Sequence, residues 1–207
     1  MSYAENHILE SLIFAPMLAV VLLLLIPGSN KNLIRKVGLA TAIYLLFASV
    51  YAFLIFDHSE GAPVFQLKQG YAWVSQLGIN FDLGLDGIGA LMVLLTGIVS
   101  IAAALIATRQ ENNPKAYYLL LFLLIAGVYG TFVAVDLFFL FFFYELAVVP
   151  MYLLIAIWGS SSQFETFSRT KEYGAMKLVL MLVAGSVLVW IGIIAIYIYS
   201  GVGTFDL

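Results

Sequence analysis

The sequence predicts an all-α, polytopic membrane protein, and three observations carry that prediction. The chain of 207 residues is 63% hydrophobic and only 10% charged. Its mean hydropathy is +1.05. Its apolar residues gather into long continuous stretches such as Val20–Ile26 and Leu119–Ile125. A soluble domain of this size needs charge over much of its surface, and this composition cannot supply it. A membrane β-barrel would show short alternating segments of about ten residues, and the continuous runs fit helices instead.

A membrane-spanning helix needs about 20 predominantly apolar residues. Six stretches qualify, at 9–27, 37–56, 84–107, 116–135, 137–158 and 174–199, and the second has room to begin earlier. They make residues 1–207 a single membrane domain with no soluble domain. The fourth and fifth are separated only by Val135–Asp136 and are expected to form a tight hairpin. Residues 57–83 are the one long connection; with Asp57, Glu60, Pro63, Lys68 and Gly70 among aromatics, they suggest a surface loop or a short interfacial segment. Internal repeats are not obvious.

The positive charges orient the chain. Lys31, Arg35 and Lys36 lie between spans one and two, Arg109 and Lys115 between three and four, and Arg169 and Lys171 between five and six. All seven fall on one side, expected to be cytoplasmic. The other side has only Lys68 and collects Glu5, Glu10, Asp57, Glu60, Asp136 and Asp206, so both termini are expected outside. The first span is flanked by Glu5 and Glu10 where a cleaved signal peptide would carry positive charge.

Several function classes are excluded. No cysteine is present, which removes disulfides, thiolate catalysis and Cys-ligated zinc or iron–sulfur centres. His7 and His58 fall outside the spans and lack metal-ligand spacing. A net charge of −3 gives no reason to expect nucleic acid as a partner. There is no Gly-rich phosphate loop and no catalytic triad.

Beyond the first three residues of each span, where Glu10 and Asp86 lie, two charged residues fall inside spans, Glu145 and Lys177. A charge at the bilayer centre costs at least about 2.5 kcal/mol on insertion scales, so such a residue usually faces protein or water and usually works. Glu145 follows the run Phe138–Phe139–Leu140–Phe141–Phe142–Phe143–Tyr144. Desolvation favours the neutral form of a carboxyl, and a nearby cation favours the charged form. A carboxyl held between those effects can load and release a proton. Five residues on, Pro150 removes a backbone donor, frees the carbonyl of Leu146 and is expected to kink the helix and admit water beside the carboxyl. The plainer alternative is a neutral glutamate hydrogen-bonded to a neighbouring helix. Lys177 is either a relay residue or a lysine that snorkels to the headgroups. Spans five and six enter from opposite sides, which sets Glu145 and Lys177 about 15 Å apart in depth. A direct ion pair is therefore not expected.

Asp82 and Asp86 flank the third span and Asp136 precedes the fifth; each is expected to cap a helix. The small residues of spans three, four and six (Gly97, Ser100, Ala102, Gly127, Gly130, Gly174, Ala175, Gly185, Ser186 and Gly192) point to close helix packing.

The stretch Phe143–Tyr144–Glu145–Leu146–Ala147–Val148–Val149–Pro150–Met151–Tyr152 and its continuation to Trp158–Gly159 resembles the helix-five signature of the M-type antiporter-like subunit of respiratory complex I. That complex is the proton-translocating NADH:quinone oxidoreductase. Leu83–Gly84–Leu85–Asp86–Gly87–Ile88–Gly89 resembles the same family at the start of helix three, and Ala175–Met176–Lys177 with Gly185–Ser186 resembles its helix six. Tyr144 stands where the family has Trp, Gly89 where Ser is common, and Leu178–Val179–Leu180–Met181 replaces a more aromatic run. The resemblance implies a proton relay through Glu145 and Lys177 in a non-redox subunit. It also implies L-type and N-type antiporter-like neighbours in a membrane arm within a bacterial inner membrane. NAD, FMN, iron–sulfur clusters and quinone are expected on partner subunits, with no cofactor or metal on this chain. Family members have more than twice as many helices, so the chain is expected to be the N-terminal part of a longer subunit whose later helices supply the lysines that work against Glu145. A subunit of a cation/proton antiporter and a structural membrane scaffold are the alternative readings.

Overall fold

A computed structural model describes residues 7–59, 61–163 and 168–206. Glu5 and Glu60, counted above toward the outer face, lie outside the described residues.

Six long apolar helices form the body: α1 (Ile8–Leu25), α2 (Lys31–Ile55), α3 (Gly87–Ala107), α4 (Pro114–Val133), α5 (Leu137–Trp158) and α6 (Lys171–Ser200). Each is long and apolar enough to cross a membrane. The chain is therefore an integral membrane protein. In hydrocarbon each backbone N–H and C=O must be satisfied within the protein, and a helix does this within its own segment. Helix α2 starts at Lys31, ahead of the expected 37, because the polar turn Lys31–Lys36 is helical too.

Helix α4 is the centre of the bundle, with half of its apolar window buried, against about a tenth (11%) for α6. Close approach onto α4 depends on missing side chains. A β-carbon on Gly127 would sit 2.9 Å from the backbone nitrogen of Ala147, and one on Gly130 would enter the ring of Phe143. In α3, Gly97 meets Ser49 of α2 in the same way, at 2.8 Å. Two buried tyrosines then fix α4 to its neighbours. The Tyr129 hydroxyl shares a 2.8 Å hydrogen bond with Ser49, and the Tyr118 hydroxyl donates to the Ala104 carbonyl at 3.0 Å. The expectation of close packing holds in α6 for Ala175 and Ser186, which are buried, but not for its glycines. Gly174, Gly185 and Gly192 have no atom within 4 Å of a built β-carbon, because within this chain α6 rests almost wholly on α5.

The connection between α2 and α3 departs from the expected loop. It forms an antiparallel hairpin of β1 (Gln66–Val74) and β2 (Ile79–Leu85), joined through a single 3-10 turn and Gly78 at φ 65°. Residues 84 and 85, assigned above to the third span, belong to β2, and the helix begins only at Gly87. The alternation Ile79–Asn80–Phe81–Asp82–Leu83 is a half-buried strand pattern with period 2, and it outweighs the apolar run that continues into α3. A register shift lies between Gln66 and Gln69, where Leu67 takes φ 54°. An extra residue in one strand bends it in this way. A minimal strand pair, β3 (Ser162–Gln163) and β4 (Ser168–Arg169), lies between α5 and α6, and the architecture is the expected all-α bundle of six spanning helices with these two short strand pairs in its connections.

The hairpin covers one end of the bundle. Phe81 packs against Phe139 at 5.0 Å between ring centroids and against Phe14 at 6.4 Å, and the Tyr71 hydroxyl donates to Glu10 at 2.6 Å. Residues 201–206 return to the same end. Phe205 stacks on Tyr197 at 4.3 Å, and its carbonyl accepts from Leu137 N at 2.9 Å.

Candidate functional site

Glu145 lies in the middle third of the 22-residue α5, on one helical face with Phe138 and Phe141 by the 3.6-residue period. That face meets α6. Phe141 stacks on Trp190 at 4.9 Å, and Phe138 approaches the same indole at 6.0 Å. Glu145 is half-buried, and its Oε1 is fully enclosed without a hydrogen-bond partner. No ion pair reaches it among the described residues. An enclosed polar atom with no partner costs about 1–3 kcal/mol, so the site holds a carboxyl whose hydrogen-bonding capacity is unspent. Pro150 is buried five residues on, where its ring leaves the Leu146 carbonyl without its helical donor, and α5 continues past it to Trp158.

Lys177 is exposed on α6 and makes no hydrogen bond or ion pair among the described residues. Helices α5 and α6 run in opposite directions, so one turn beyond Phe141 on α5 matches one turn before Trp190 on α6. Glu145 is thus level with the buried Ser186. Lys177 is nine residues further toward the start of α6, roughly 14 Å away in depth. Glu145 and Lys177 are therefore not brought together.

The acids at the hairpin end divide. Asp86 is the N-cap of α3, accepting from Gly89 N at 2.7 Å. Asp136 is the fully buried N-cap of α5, with Oδ1 accepting from Phe138 N and Phe139 N, while Oδ2 accepts from Asn80 N at 3.2 Å. Asp82 does not cap α3, contrary to expectation. It sits in β2, where the hairpin turns its carboxyl toward Gly70 and Asp206.

This last arrangement escaped sequence reasoning. Asp82, Asp206 and Lys68 line one cavity of about 320 Å³ with Gln69, Gly70, Leu83 and Val135. Burial, then hydrogen bonding and repulsion from Asp206, then the charge of Asp136, push the Asp82 carboxyl up to about 6, while Lys68 pulls it down. Burial also raises Asp136, against three backbone N–H donors that favour its charged form. Asp206 is 124 positions from Asp82, so only the return of the C-terminal segment joins them. The period-2 pattern of 79–85 was the available signal for where Asp82 points.

A half-buried carboxyl with an unused oxygen, set in one of six spanning helices beside a proline, defines an integral membrane protein with an ionisable group inside a span. Residues 134–207 match the family described as NADH:quinone oxidoreductase/Mrp antiporter, TM. More particularly, the chain is similar to NAD(P)H-quinone oxidoreductase chain 4-2 of Synechocystis sp., 32% identical over 201 residues, which is 96% of this chain and 34% of that protein. These likenesses agree with the resemblance to the M-type antiporter-like subunit read from the sequence. The fold is shared with a chain of respiratory complex I from Thermus thermophilus with bound NADH (TM-score 0.76, 22% identity, 96% of this chain and 38% of that one). It is shared also with a chain of the Mrp complex from a Dietzia species (TM-score 0.67, 21% identity, 95% and 20%). The chain spans about a third of the length of the curated relatives it matches.

Proposed function

We propose that the chain is a proton-translocating part of the membrane arm of a complex I-type NADH:quinone oxidoreductase, carrying a proton on Glu145. The enclosed, unpartnered Oε1 inside a spanning helix carries this reading. A carboxyl already saturated by neighbours has no free position for a proton in transit, and this one has. Pro150 loosens the backbone next to it, and Lys177 serves as a relay or tuning cation at a distance, reached through water and polar groups. Further helices of a longer subunit would supply the remaining cations. Their charge sets whether the Glu145 proton is held or released, because a carboxyl of fixed proton affinity cannot be driven through a cycle.

Redox chemistry belongs in this reading to partner subunits that hold NAD, FMN, iron–sulfur clusters and quinone; the absence of cysteine supports the division for the clusters. L-type and N-type antiporter-like subunits are the proposed neighbours, and a bacterial inner membrane the proposed location. The shared fold of the Mrp chain supports a second reading, a subunit of a cation/proton antiporter. The names of the similar curated proteins favour the first. Co-purification with redox subunits, against co-purification with antiporter subunits, separates the two.

The central test is Glu145→Gln in the native membrane, after assembly is confirmed. Quinone-linked electron transfer and proton uptake into inverted vesicles are expected to fall together by about a hundredfold or more, the loss typical of a missing proton-transfer group. Unchanged rates in an assembled complex would make Glu145 structural.

A further inference from the structure

The basic end of the bundle carries more cations than carboxylates, with Glu111 and Glu172 beside Lys31, Arg35, Lys36, Arg109, Lys115 and Lys171. Lys31 donates to the Glu111 carbonyl at 3.2 Å, and Arg35 to the Gln110 carbonyl at 3.3 Å. Lys115 donates to the carbonyls of Leu24 and Ile26, and Lys171 to that of Ile157. Each of these four cations thus closes the carboxyl end of a neighbouring helix or its following loop, where unsatisfied carbonyls favour positive charge. None makes an ion pair with a carboxylate among the described residues, though Glu172 is next to Lys171. Lys36 and Arg109 differ from them. Their side chains are exposed and make no hydrogen bond or ion pair among the described residues. Each is next in sequence to one partner of the Arg35–Gln110 contact, which places both at the same end, or rim, of the α2–α3 pair, in the second turn of α2 and just past the end of α3.

Aromatic groups mark the depth of this rim. Trp158 donates from Nε1 to the Asn112 carbonyl at 3.1 Å, and its ring meets Tyr117 at 5.3 Å. Trp and Tyr with one apolar and one wet side sit at the headgroup level of a bilayer. Exposed cations at headgroup depth that make no ion pair among the described residues, although Glu111 lies in the same loop, complement lipid phosphate.

We propose that the rim carrying Lys36 and Arg109 binds the headgroup of an anionic phospholipid, the two side chains clasping its phosphate. This places a structural lipid against the α2–α3 seam and ties the basic end to an anionic leaflet.

The test uses the full chain purified in detergent, with phosphatidylglycerol as probe and phosphatidylcholine of equal acyl length as reference, read by native mass spectrometry. Phosphatidylglycerol is expected to be retained in preference to phosphatidylcholine. The double variant Lys36→Gln/Arg109→Gln should weaken that retention by about thirtyfold, from about 1 kcal/mol per surface cation. Lys68→Gln, at the opposite end, should leave it unchanged, and Lys36→Arg/Arg109→Lys should preserve it. Equal retention of the two lipids by the parent chain, or retention by the Gln double variant within twofold of the parent, overturns the proposal. Displacement of phosphatidylglycerol by excess inorganic phosphate also overturns it, by assigning the rim to free anions. Circular dichroism checks that the double variant folds; the altered side chains hold no other group, so a folding loss would itself contradict the assignment.

Discussion

At the scale of single residues, two carboxyls in this chain behave differently for reasons of surroundings rather than of type. Asp136 is fully buried yet surrounded by backbone donors at the start of α5. Asp82 faces Asp206 across a small cavity with only Lys68 to oppose the repulsion, and its folded pKa of about 6 lies above the ordinary 3.8. A group raised in this way binds protons more tightly in the folded state. Its favourable contribution is full below about 4 and is lost as pH rises through about 6. Thermal stability in detergent is therefore expected to decline between those pH values. Asp82→Asn should flatten that stretch of the profile, as differential scanning fluorimetry across the range would show. An unchanged slope in the variant would mean that the proton is held elsewhere.

At the scale of elements, the glycines fall into two sets that the amino-acid letters do not distinguish. Gly127 and Gly130 receive the backbone and the Phe143 ring of α5, whereas Gly185 and Gly192 of α6 face open space. Gly130→Ala is expected to destabilise the bundle by about 1–3 kcal/mol through overpacking, with Phe143 forced to move. Gly185→Ala should leave the stability of this chain within about 0.5 kcal/mol or raise it slightly. Unfolding followed by tryptophan fluorescence compares the pair. Equal effects would show that the α4–α5 contact is looser than its geometry. The hairpin teaches a related point. Its alternating strand β2 was present in the letters of 79–85, yet it ran directly into an apolar helix, and periodicity read over a long window merges the two.

At the scale of the whole molecule, the two ends have opposite chemistry. One end carries Lys31, Arg35, Lys36, Arg109, Lys115 and Lys171 against Glu111 and Glu172, and the other carries the hairpin with Asp82, Asp86, Asp136 and Asp206 against Lys68. Chain orientation follows the cations, so the hairpin is expected to face away from the cytoplasm. The chain has no cysteine, and single substitutions therefore report location without background. Ala62→Cys should react with an impermeant maleimide in intact cells, and Ser29→Cys only after permeabilisation. The reverse pattern would invert the assignment of sides.

The number, approximate extent and connectivity of the spanning helices were legible in the sequence, because hydrocarbon demands some twenty apolar residues and helical backbone pairing of each span. The same logic singled out Glu145 and Lys177, since a charge within a span is costly wherever the chain folds, and helix rise alone kept them apart in depth. What the fold decided was everything that depends on residues distant in the chain. The opposition of Asp82 and Asp206, the tyrosine ties of α4, the division of glycines into packed and open, and the enclosure of one Glu145 oxygen each arise from which faces meet. In an apolar bundle many faces are equally oily, so the pattern of hydrophobicity does not select among them; close steric fit and a few hydrogen bonds do.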